Sequence, residues 1–427
     1  MERIAAAWDC EAAFKPPPRT AYSIDQRYSG LKRYGGRVKS GSRAGYCRKQ
    51  LEGYVAFEPA PLPPDPPVDL IATNLVAKLS NADMAIGRLD GLARSLPDAD
   101  LFLAMYVRQE ALLSSLIEGT DCTLDDVLAF ELKEGAAVPN LDVGEVVNYV
   151  AALNHGVARL DELPLCNRLL REVHATLLRS GRGAEKTPGE FRRTQNWIGP
   201  PGCTLATASF VPPPVPVMEE AMSDLEKYLH ETELPTLLAA GLAHAQFETI
   251  HPFADGNGRT GRLLVSLLLH ERQVLAKPVL YLSTYLKKHR TAYFERLMAV
   301  RERGDWEGWL GFFLDGVQDS AATAAETAGA VHQLREADRA VLGDTGGAAN
   351  DFRLLDALYG QPLVNAQWVH ERFDVSPTTA NKMLDRLVDA AILRETTGKK
   401  RYRVYRYDSY VALFDLPAAV EEDETVI

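Results

Sequence analysis

Residues 251–262, HPFADGNGRTGR, bring several chemistry-bearing side chains together at close spacing. Gly256 and Gly258 can adopt a positive φ without steric cost, so backbone N–H groups can turn inward where a helix begins. Such a nest binds anions, because N–H groups at a helix N-terminus carry a partial positive charge. Arg259 and Arg262 lie on adjacent turns of that helix, and a planar guanidinium suits bidentate contacts with phosphate oxygens. The stretch therefore predicts a polyphosphate site.

Two further side chains of this stretch can act on a bound phosphate compound. Asp255 offers a hard oxygen ligand, and Mg²⁺ is typically held by one or two carboxylates together with substrate phosphates and water. His251 is the titrating base of the stretch, and a neutral imidazole with a pKa of about 6.5 can accept a proton from a hydroxyl. The alternative is that His251 is a core histidine and the glycines only form a turn.

Two apolar segments are predicted to hold this stretch at both ends. Residues 237–250 contain a single acid, Glu248, and residues 263–270 are again apolar. Both segments have the character of buried helices. We therefore expect a rigid loop between two helices of the core.

At every fixed position, HPFADGNGRTGR resembles the signature of Fic domains, HPFx(D/E)GNGRxxR. Nine specified positions at fixed spacing make this a specific motif, and the resemblance extends over residues 54–317. It implies a protein adenylyltransferase, which moves AMP from ATP to a Ser, Thr or Tyr hydroxyl of a protein and releases pyrophosphate. It also implies that His251 is the base, that Asp255 binds Mg²⁺ and that Arg262 clamps the outer phosphate.

The resemblance implies roles for the other residues of the site. The nucleotide-binding candidates are Gly256, Asn257, Gly258, Arg259, Thr260, Gly261, Arg262, Tyr293, Phe294 and Arg301. The Asn257 side chain is expected to bind phosphate oxygens, and Arg259 to steady the loop. The last three candidates would form an adenine pocket, although aromatic residues at helical spacing more often belong to a core. Relatives often have two tyrosines where this chain has Tyr293-Phe294.

A second motif lies upstream, where Ser114 and Glu118 share one face of a predicted helix and Gly119 fits its C-terminal stop. A carboxylate there opposes the helix dipole, so a compensating partner is expected. The string resembles the inhibitory motif (S/T)xxxE(G/N) of autoinhibited Fic proteins. It implies that Glu118 pairs with Arg262 and keeps that arginine from the γ-phosphate of ATP. The alternative is an exposed glutamate at a helix end.

The composition is that of an ordinary globular protein. The chain has 427 residues, of which 46% are hydrophobic and 25% are charged, and its formal net charge of −11 argues against general affinity for nucleic acid or anionic lipid. Its five cysteines form no CxxC pair, which suggests reduced thiols. The absence of a long apolar run and of a signal peptide predicts a cytoplasmic protein without membrane contact.

We predict a mainly α fold, in which a Fic-type helical core with a β-hairpin flap precedes a C-terminal winged-helix domain. The predicted divisions are a basic, disordered extension at 1–50, an N-terminal helical region with the inhibitory motif at 51–160, the Fic core at 161–317, a linker helix and loop at 318–349, and the winged helix with an acidic tail at 350–427. The basic extension has an alternative reading as an arm that contacts nucleic acid or a partner.

The flap and the winged helix suggest where partners bind. Segments 196–198 and 208–211 can pair as a hairpin that resembles the Fic flap, which aligns a target protein by main-chain pairing; an ordinary surface hairpin is the alternative. Basic and acidic residues nearly balance in the winged helix, so DNA contact and protein contact both stay open. The resemblance also makes a homodimer and self-modification reasonable.

Two other functions stay open at this stage. The same fold can remove AMP, or transfer another nucleotide or phosphate-bearing group. The winged helix can instead be the working part of a DNA-binding regulator whose Fic core is silent. No Walker A string occurs in the sequence, which argues against a P-loop enzyme.

Overall fold

Helices dominate the computed structural model, in agreement with the predicted fold class. The structure describes residues 42–95, 99–132, 141–200, 202–277 and 280–415. Most of the predicted basic extension and the predicted acidic tail lie outside these residues. Among the described helices, none combines the length and the apolar character that a membrane span requires.

Helix α7 lies at the centre of the helical core. The helices before residue 349 are α1 (Leu75–Ser95), α2 (Ala99–Ile117), α3 (Leu124–Leu132), α4 (Leu141–Arg159), α5 (Asn167–Leu177), α6 (Val215–Glu231), α7 (Thr236–Ile250), α8 (Asn257–Glu271), α9 (Ser283–Lys288), α10 (Arg290–Arg303) and α11 (Trp306–Asp344). Every residue of α7 after its first is buried, and α7 packs against α6, α8, α10 and α11. A helix surrounded on all sides needs a nearly continuous apolar sequence, which this segment has.

The helix at residue 317, where we predicted that the Fic core ends, has no break. Helix α11 continues through it to Asp344 and packs against α1. Its apolar stripe extends beyond residue 317 with Ala321, Ala324 and Ala328, all buried. Because small apolar residues recur at helical spacing without a proline, the helix continues past the end of the predicted core.

A β-hairpin precedes the helices, so residues 45–49, which we predicted to belong to a disordered extension at 1–50, form a strand. Strands β1 (Gly45–Lys49) and β2 (Val55–Pro59) pair antiparallel, with Cys47 opposite Phe57. The N–H of Phe57 donates to the carbonyl of Val211 at 2.9 Å, and its ring packs on Phe210. Strand β1 is short and basic, so its order depends on these distant partners and not on a local hydrophobic pattern.

The C-terminal module, residues 349–415, is a small α/β unit. It contains α12 (Ala349–Leu358), β3 (Leu363–Asn365), α13 (Ala366–Phe373), α14 (Pro377–Asp389), β4 (Arg394–Glu395), β5 (Val404–Arg406) and α15 (Asp408–Val411), with an antiparallel sheet in the order β3-β5-β4. The Ser376 hydroxyl accepts the N–H of Thr379 and so caps α14. The identification of this module as a winged helix stays a prediction. A 3₁₀ turn, Ala412–Phe414, packs the module against α2 and α11.

Candidate functional site

His251 is the residue at which α7 ends. Its backbone adopts the left-handed conformation with φ of 52°, and its N–H donates to the carbonyl of Phe247 at 2.9 Å. Burial, and next the charge of Arg301, lower the pKa of His251 to about 3, so the imidazole is neutral at physiological pH. Nδ1 lies 3.4 Å from the carbonyl of Glu248. A proton on Nδ1 leaves Nε2 free to accept another from a substrate.

Two residues that sequence reasoning missed bind the backbone around His251. Arg192 donates through Nε to the His251 carbonyl at 3.0 Å, and its backbone N–H donates to the Pro252 carbonyl at 2.8 Å. Asn196 donates through Nδ2 to the carbonyls of His251 and Phe253 at 3.2 and 3.0 Å. Burial lowers the pKa of Arg192 to about 10, so it stays charged at neutral pH. Nothing in the local sequence distinguishes Arg192 from an exposed arginine.

His174, on α5, supports the same loop and was also missed. Its Nδ1 accepts the N–H of Gly189 at 2.9 Å, so its Nε2 carries the proton and donates to the carbonyl of Asp255 at 3.0 Å. The ring stacks on Phe253 with 3.7 Å between centroids. Burial lowers the pKa of His174 to about 4, which keeps it neutral. The available sequence signal was a histidine on the apolar face of an amphipathic helix.

The glycine and asparagine of the loop close it onto α8. Gly256 precedes the helix with a φ of 75°, a left-handed conformation that glycine adopts without strain. The Asn257 carbonyl Oδ1 accepts the N–H of Phe253 at 2.8 Å, and its Nδ2 donates to the Phe253 carbonyl at 2.9 Å. The Asn257 side chain thus closes the loop, and its expected contact with phosphate oxygens stays a prediction. The Thr260 hydroxyl donates to the Gly256 carbonyl at 2.8 Å and secures the first turn.

Asp255 lies beside this helix start, with about a third of its side chain exposed. Its Oδ1 accepts the N–H of Gly256 at 2.6 Å. Gly183 approaches the other oxygen so closely that a Cβ there would lie 3.1 Å from Oδ2. No group of three or more His, Cys, Asp or Glu residues forms a metal site in the described part of the chain. A single open carboxylate fits Mg²⁺ that takes its remaining ligands from substrate and water.

Arg259 is committed to a buried ion pair. Its Nη1 donates to Glu145 Oε2 at 2.8 Å, and both side chains are only 1% exposed. The Thr120 hydroxyl donates to the same oxygen at 3.1 Å. Because Glu145 belongs to α4, this pair fixes α8 to a neighbouring helix. The arrangement supports the predicted steadying role of Arg259.

Arg262 is bound by the predicted inhibitory motif. Its Nε donates to the Ser114 hydroxyl at 2.7 Å, and its Nη2 donates to the Ser114 carbonyl at 2.9 Å and to Glu118 Oε1 at 2.8 Å. Burial by itself raises the pKa of Glu118, but the charge and hydrogen bond of Arg262, together with the charges of Arg259 and His251, outweigh it, so the net shift is downward and the carboxylate is ionised. A Cβ on Gly258 would lie 2.1 Å from Glu118 Oε1. The carboxylate therefore covers the N-terminus of α8, and Gly119 ends α2 behind it with a φ of 87°.

The three adenine-pocket candidates differ in their exposure to solvent. Tyr293 is buried and its hydroxyl is 2.9 Å from His244 Nε2, whereas Phe294 is 40% exposed. Arg301 is buried, and its Nη2 donates to the Glu248 carbonyl at 3.0 Å. Its guanidinium also lies 4.0 Å from the ring centroid of Phe210. Only Phe294 among the three offers a solvent-exposed face.

The predicted flap segments pair at one point. Ile198 and Phe210 exchange N–H to carbonyl hydrogen bonds of 2.8 and 3.0 Å. The contact of Phe57 with Val211 connects the flap to the β1–β2 hairpin. Trp197 projects from the flap with 42% of its surface exposed. The flap is thus an extension of a hairpin that sequence reasoning did not find.

Comparisons with known proteins agree with this geometry. Residues 76–158 match the family model Fic/DOC family N-terminal, and residues 164–269 match the model Fic/DOC family. The chain is 33% identical over 149 residues to Protein adenylyltransferase Fic of Culex quinquefasciatus, and 34% identical over 148 residues to the protein of that name from Aedes aegypti. Each match covers 34% of this chain and 26% of the relative, so the chain matches about a quarter of the length of these curated relatives.

A solved structure is similar in fold. A Fic family protein from Desulfovibrio desulfuricans G20 superposes with a TM-score of 0.50 at 23% identity, and the match covers 77% of this chain and 95% of that one. The arrangement of helices around residues 251–262 is therefore a Fic fold.

Proposed function

Since the chain carries the N-terminal and Fic domains of the Fic/DOC family, we propose that it is a protein adenylyltransferase held inactive by Glu118. The relatives named above support a Fic-family transferase. We propose that the group it transfers is AMP, taken from ATP. The observation that carries the inhibitory part is the ionised Glu118 carboxylate, bound to Arg262 and lying over the N-terminus of α8. An anion site that already holds a carboxylate is not free to receive a phosphate.

In the proposed reaction, a target hydroxyl oxygen attacks the α-phosphorus of ATP. The bond from that phosphorus to the pyrophosphate oxygen breaks, pyrophosphate leaves, and His251 Nε2 takes the hydroxyl proton. The low pKa of His251 ensures that the imidazole is unprotonated before the reaction. Backbone N–H groups at Gly256 and Gly258 and the guanidinium of Arg262 would hold phosphate oxygens. Asp255 would hold Mg²⁺, which neutralises phosphate charge when bound.

The proposed inhibition follows from the contacts of Arg262. Its Nη2 donates to both the Ser114 carbonyl and the Glu118 carboxylate, so this group is already occupied. Removal of the Glu118 carboxylate takes away one of these two acceptors and uncovers the N-terminus of α8. Activity is therefore expected to appear when this side chain is removed.

The partners belong to the same proposal. A target protein segment would pair with the flap near residues 196–198, where the Asn196 side chain contacts the His251 carbonyl at 3.2 Å. Self-modification and a homodimer are proposed from the family resemblance. The C-terminal module would contact DNA or a protein, with neither favoured by its charge.

The proposal is tested by mass spectrometry of the purified protein after incubation with Mg·ATP. The samples are the wild type, Glu118→Gly, and Glu118→Gly with His251→Ala. We expect adducts of one AMP, on the protein itself or on lysate proteins, with Glu118→Gly alone. If Glu118→Gly gains none with ATP, the same proteins are tested with other nucleoside triphosphates and then with AMP-modified substrates. Activity there would replace adenylyl transfer by the alternative reaction, and silence throughout would contradict transferase function.

A further inference from the structure

The last turn of α2 is bound by three cations from three separate segments. The carbonyls of Leu116, Ile117 and Glu118 accept hydrogen bonds from basic side chains there. Lys287 Nζ donates to Leu116 at 3.5 Å, Arg290 Nε to Ile117 at 3.2 Å, and Arg182 Nη2 to Glu118 at 3.3 Å. We call these three basic residues the cation collar.

The collar compensates the charge of a helix end. The final carbonyls of a helix have no intrahelical partner and carry a partial negative charge, which basic side chains stabilise. Within the local backbone, α2 ends at Gly119, and the N–H of Thr120 donates a hydrogen bond to the Ser115 carbonyl at 3.2 Å. The collar adds contacts from α9, from α10 and from the loop after α5, so the turn is fixed to parts of the fold distant in sequence.

The turn that the collar fixes is the one that carries the Glu118 carboxylate. Glu118 is one residue beyond the end of α2, and its side chain reaches Arg262 while its carbonyl binds Arg182. A small rotation of this turn would move the carboxylate away from the guanidinium. The position of Glu118 therefore depends on the contacts of its own backbone as well as on Arg262.

We propose that the cation collar is the positioning device of the inhibitory turn, and that weakening it releases Glu118 from the site. This inference rests on the proposed function. Its residues lie at the surface: Arg290 is exposed, and the Arg182 side chain is 47% exposed. Replacing them leaves no cavity in the core, so the expected effect is on the turn, and on the Phe294 ring 5.2 Å from the Arg290 guanidinium, and is not a loss of fold.

The test variant is Lys287→Gln with Arg290→Gln. Arg182 is left intact because its loop also borders Asp255 through Gly183. Arg303→Gln is the matched control, since Arg303 is an exposed arginine of α10 that pairs with Glu302 of its own helix at 3.7 Å. Replacement of both residues by the opposite basic residue, Lys287→Arg with Arg290→Lys, keeps the charges and is expected to behave as the wild type.

The first measurement is hydrogen exchange of the amides at residues 115–120. We expect exchange about 3- to 30-fold faster in the double glutamine variant than in the wild type, and unchanged in Arg303→Gln. Equal rates in the wild type and the double variant would overturn the collar proposal. This readout does not depend on any enzymatic activity.

The second measurement is formation of AMP adducts, with Glu118→Gly as the reference. The double glutamine variant should form adducts while Glu118 is intact, and adding its substitutions to Glu118→Gly should not raise the level further. A silent double variant beside an active Glu118→Gly would overturn the collar proposal alone. If Glu118→Gly forms no adducts, the proposed function is contradicted instead. The hydrogen-exchange result then decides whether the collar fixes the turn.

Discussion

His251 lies in a half-buried position beside Arg301 and Arg192, and its partial burial together with these cations lowers its pKa to about 3. Glu118 acts in the opposite direction, because its negative charge favours the imidazolium. The imidazole is thus neutral because of its surroundings and needs no change of pH to act as a base. The low pKa arises from the tertiary structure, because an unperturbed histidine side chain has a pKa of about 6.5.

The charge state of His251 can be measured directly. In long-range nitrogen–proton NMR spectra of the wild type, the His251 ring should keep the neutral pattern, with the proton on Nδ1, from pH 8 down to about pH 5. The His251→Ala variant identifies its signals. A ring that becomes cationic near pH 6 would contradict the burial argument.

Glu248 is a second buried acid at the site. Burial, and next the charge of Glu118, raise its pKa to about 7, and its Oε1 is buried without a hydrogen bond among the described residues. The folded state thus holds a proton that the unfolded state releases at lower pH. The contribution of this group to the free energy of unfolding is fully present below its unfolded pKa of about 4.5, and it is lost as pH rises towards 7.

Glu248→Gln should therefore stabilise the protein at pH 8 by roughly 2–3 kcal/mol and have little effect near pH 4.5. Thermal unfolding of both proteins across this range is the measurement. Glu219→Gln, which alters an exposed acid on α6, serves as the control and should shift the midpoint little at any pH. The same shift at both ends of the range would show that Glu248 is not the group that titrates.

At the scale of elements, α5 and the loop after α7 are joined by His174. The ring accepts one hydrogen bond, donates another and stacks on Phe253. His174→Phe keeps the stacking and leaves the Gly189 N–H and the Asp255 carbonyl unpaired. We expect a loss of about 1–3 kcal/mol in the free energy of unfolding, and at least a tenfold loss of activity in the Glu118→Gly background, because the loop loses a support.

The matched control is His230→Phe. His230 lies on α6, and its Nε2 contacts the carbonyl of Leu165, a residue outside the 251–262 stretch, at 3.0 Å. This variant should lose stability and keep its activity. Equal loss of activity in both variants would show that the effect of His174→Phe is a general loss of fold.

The sequence was sufficient for elements whose pattern is local. The apolar helix before His251, the helix that starts at Asn257 and the end of α2 at Gly119 each have a clear periodicity or stop signal, and the structure has helices there. The β1–β2 hairpin was missed because strand β1 buries little of its own surface. Arg192, His174 and Glu145 were missed for a related reason: their partners are more than fifty residues away.

At the scale of the whole molecule, the C-terminal module contacts the helix that carries the inhibitory motif. The Gln109 side chain on α2 donates through Nε2 to the carbonyl of Phe414 at 2.9 Å, and the ring of Tyr106 lies 5.8 Å from that of Phe414. On α3, Asp125 accepts from Arg406 Nε at 3.0 Å. The module and the Fic domains thus share a surface.

Phe414→Ala should weaken both sides of this surface. Truncation of a buried phenylalanine typically costs about 3–5 kcal/mol, and here part of that loss falls on α2. We expect faster hydrogen exchange in α2 near Tyr106 as well as in the module. Faster exchange confined to residues 349–415 would show that the module is energetically separate.

The central claim is that Glu118 restrains a transfer of AMP that His251 carries out. Its most direct test uses Glu118→Gly and Mg·ATP labelled on either the α-phosphate or the γ-phosphate, with Glu118→Gly/His251→Ala as the control. We expect protein to acquire label from the α-phosphate alone, and the His251→Ala control to acquire none. Label from the γ-phosphate, or α-label that survives the loss of His251, would contradict it.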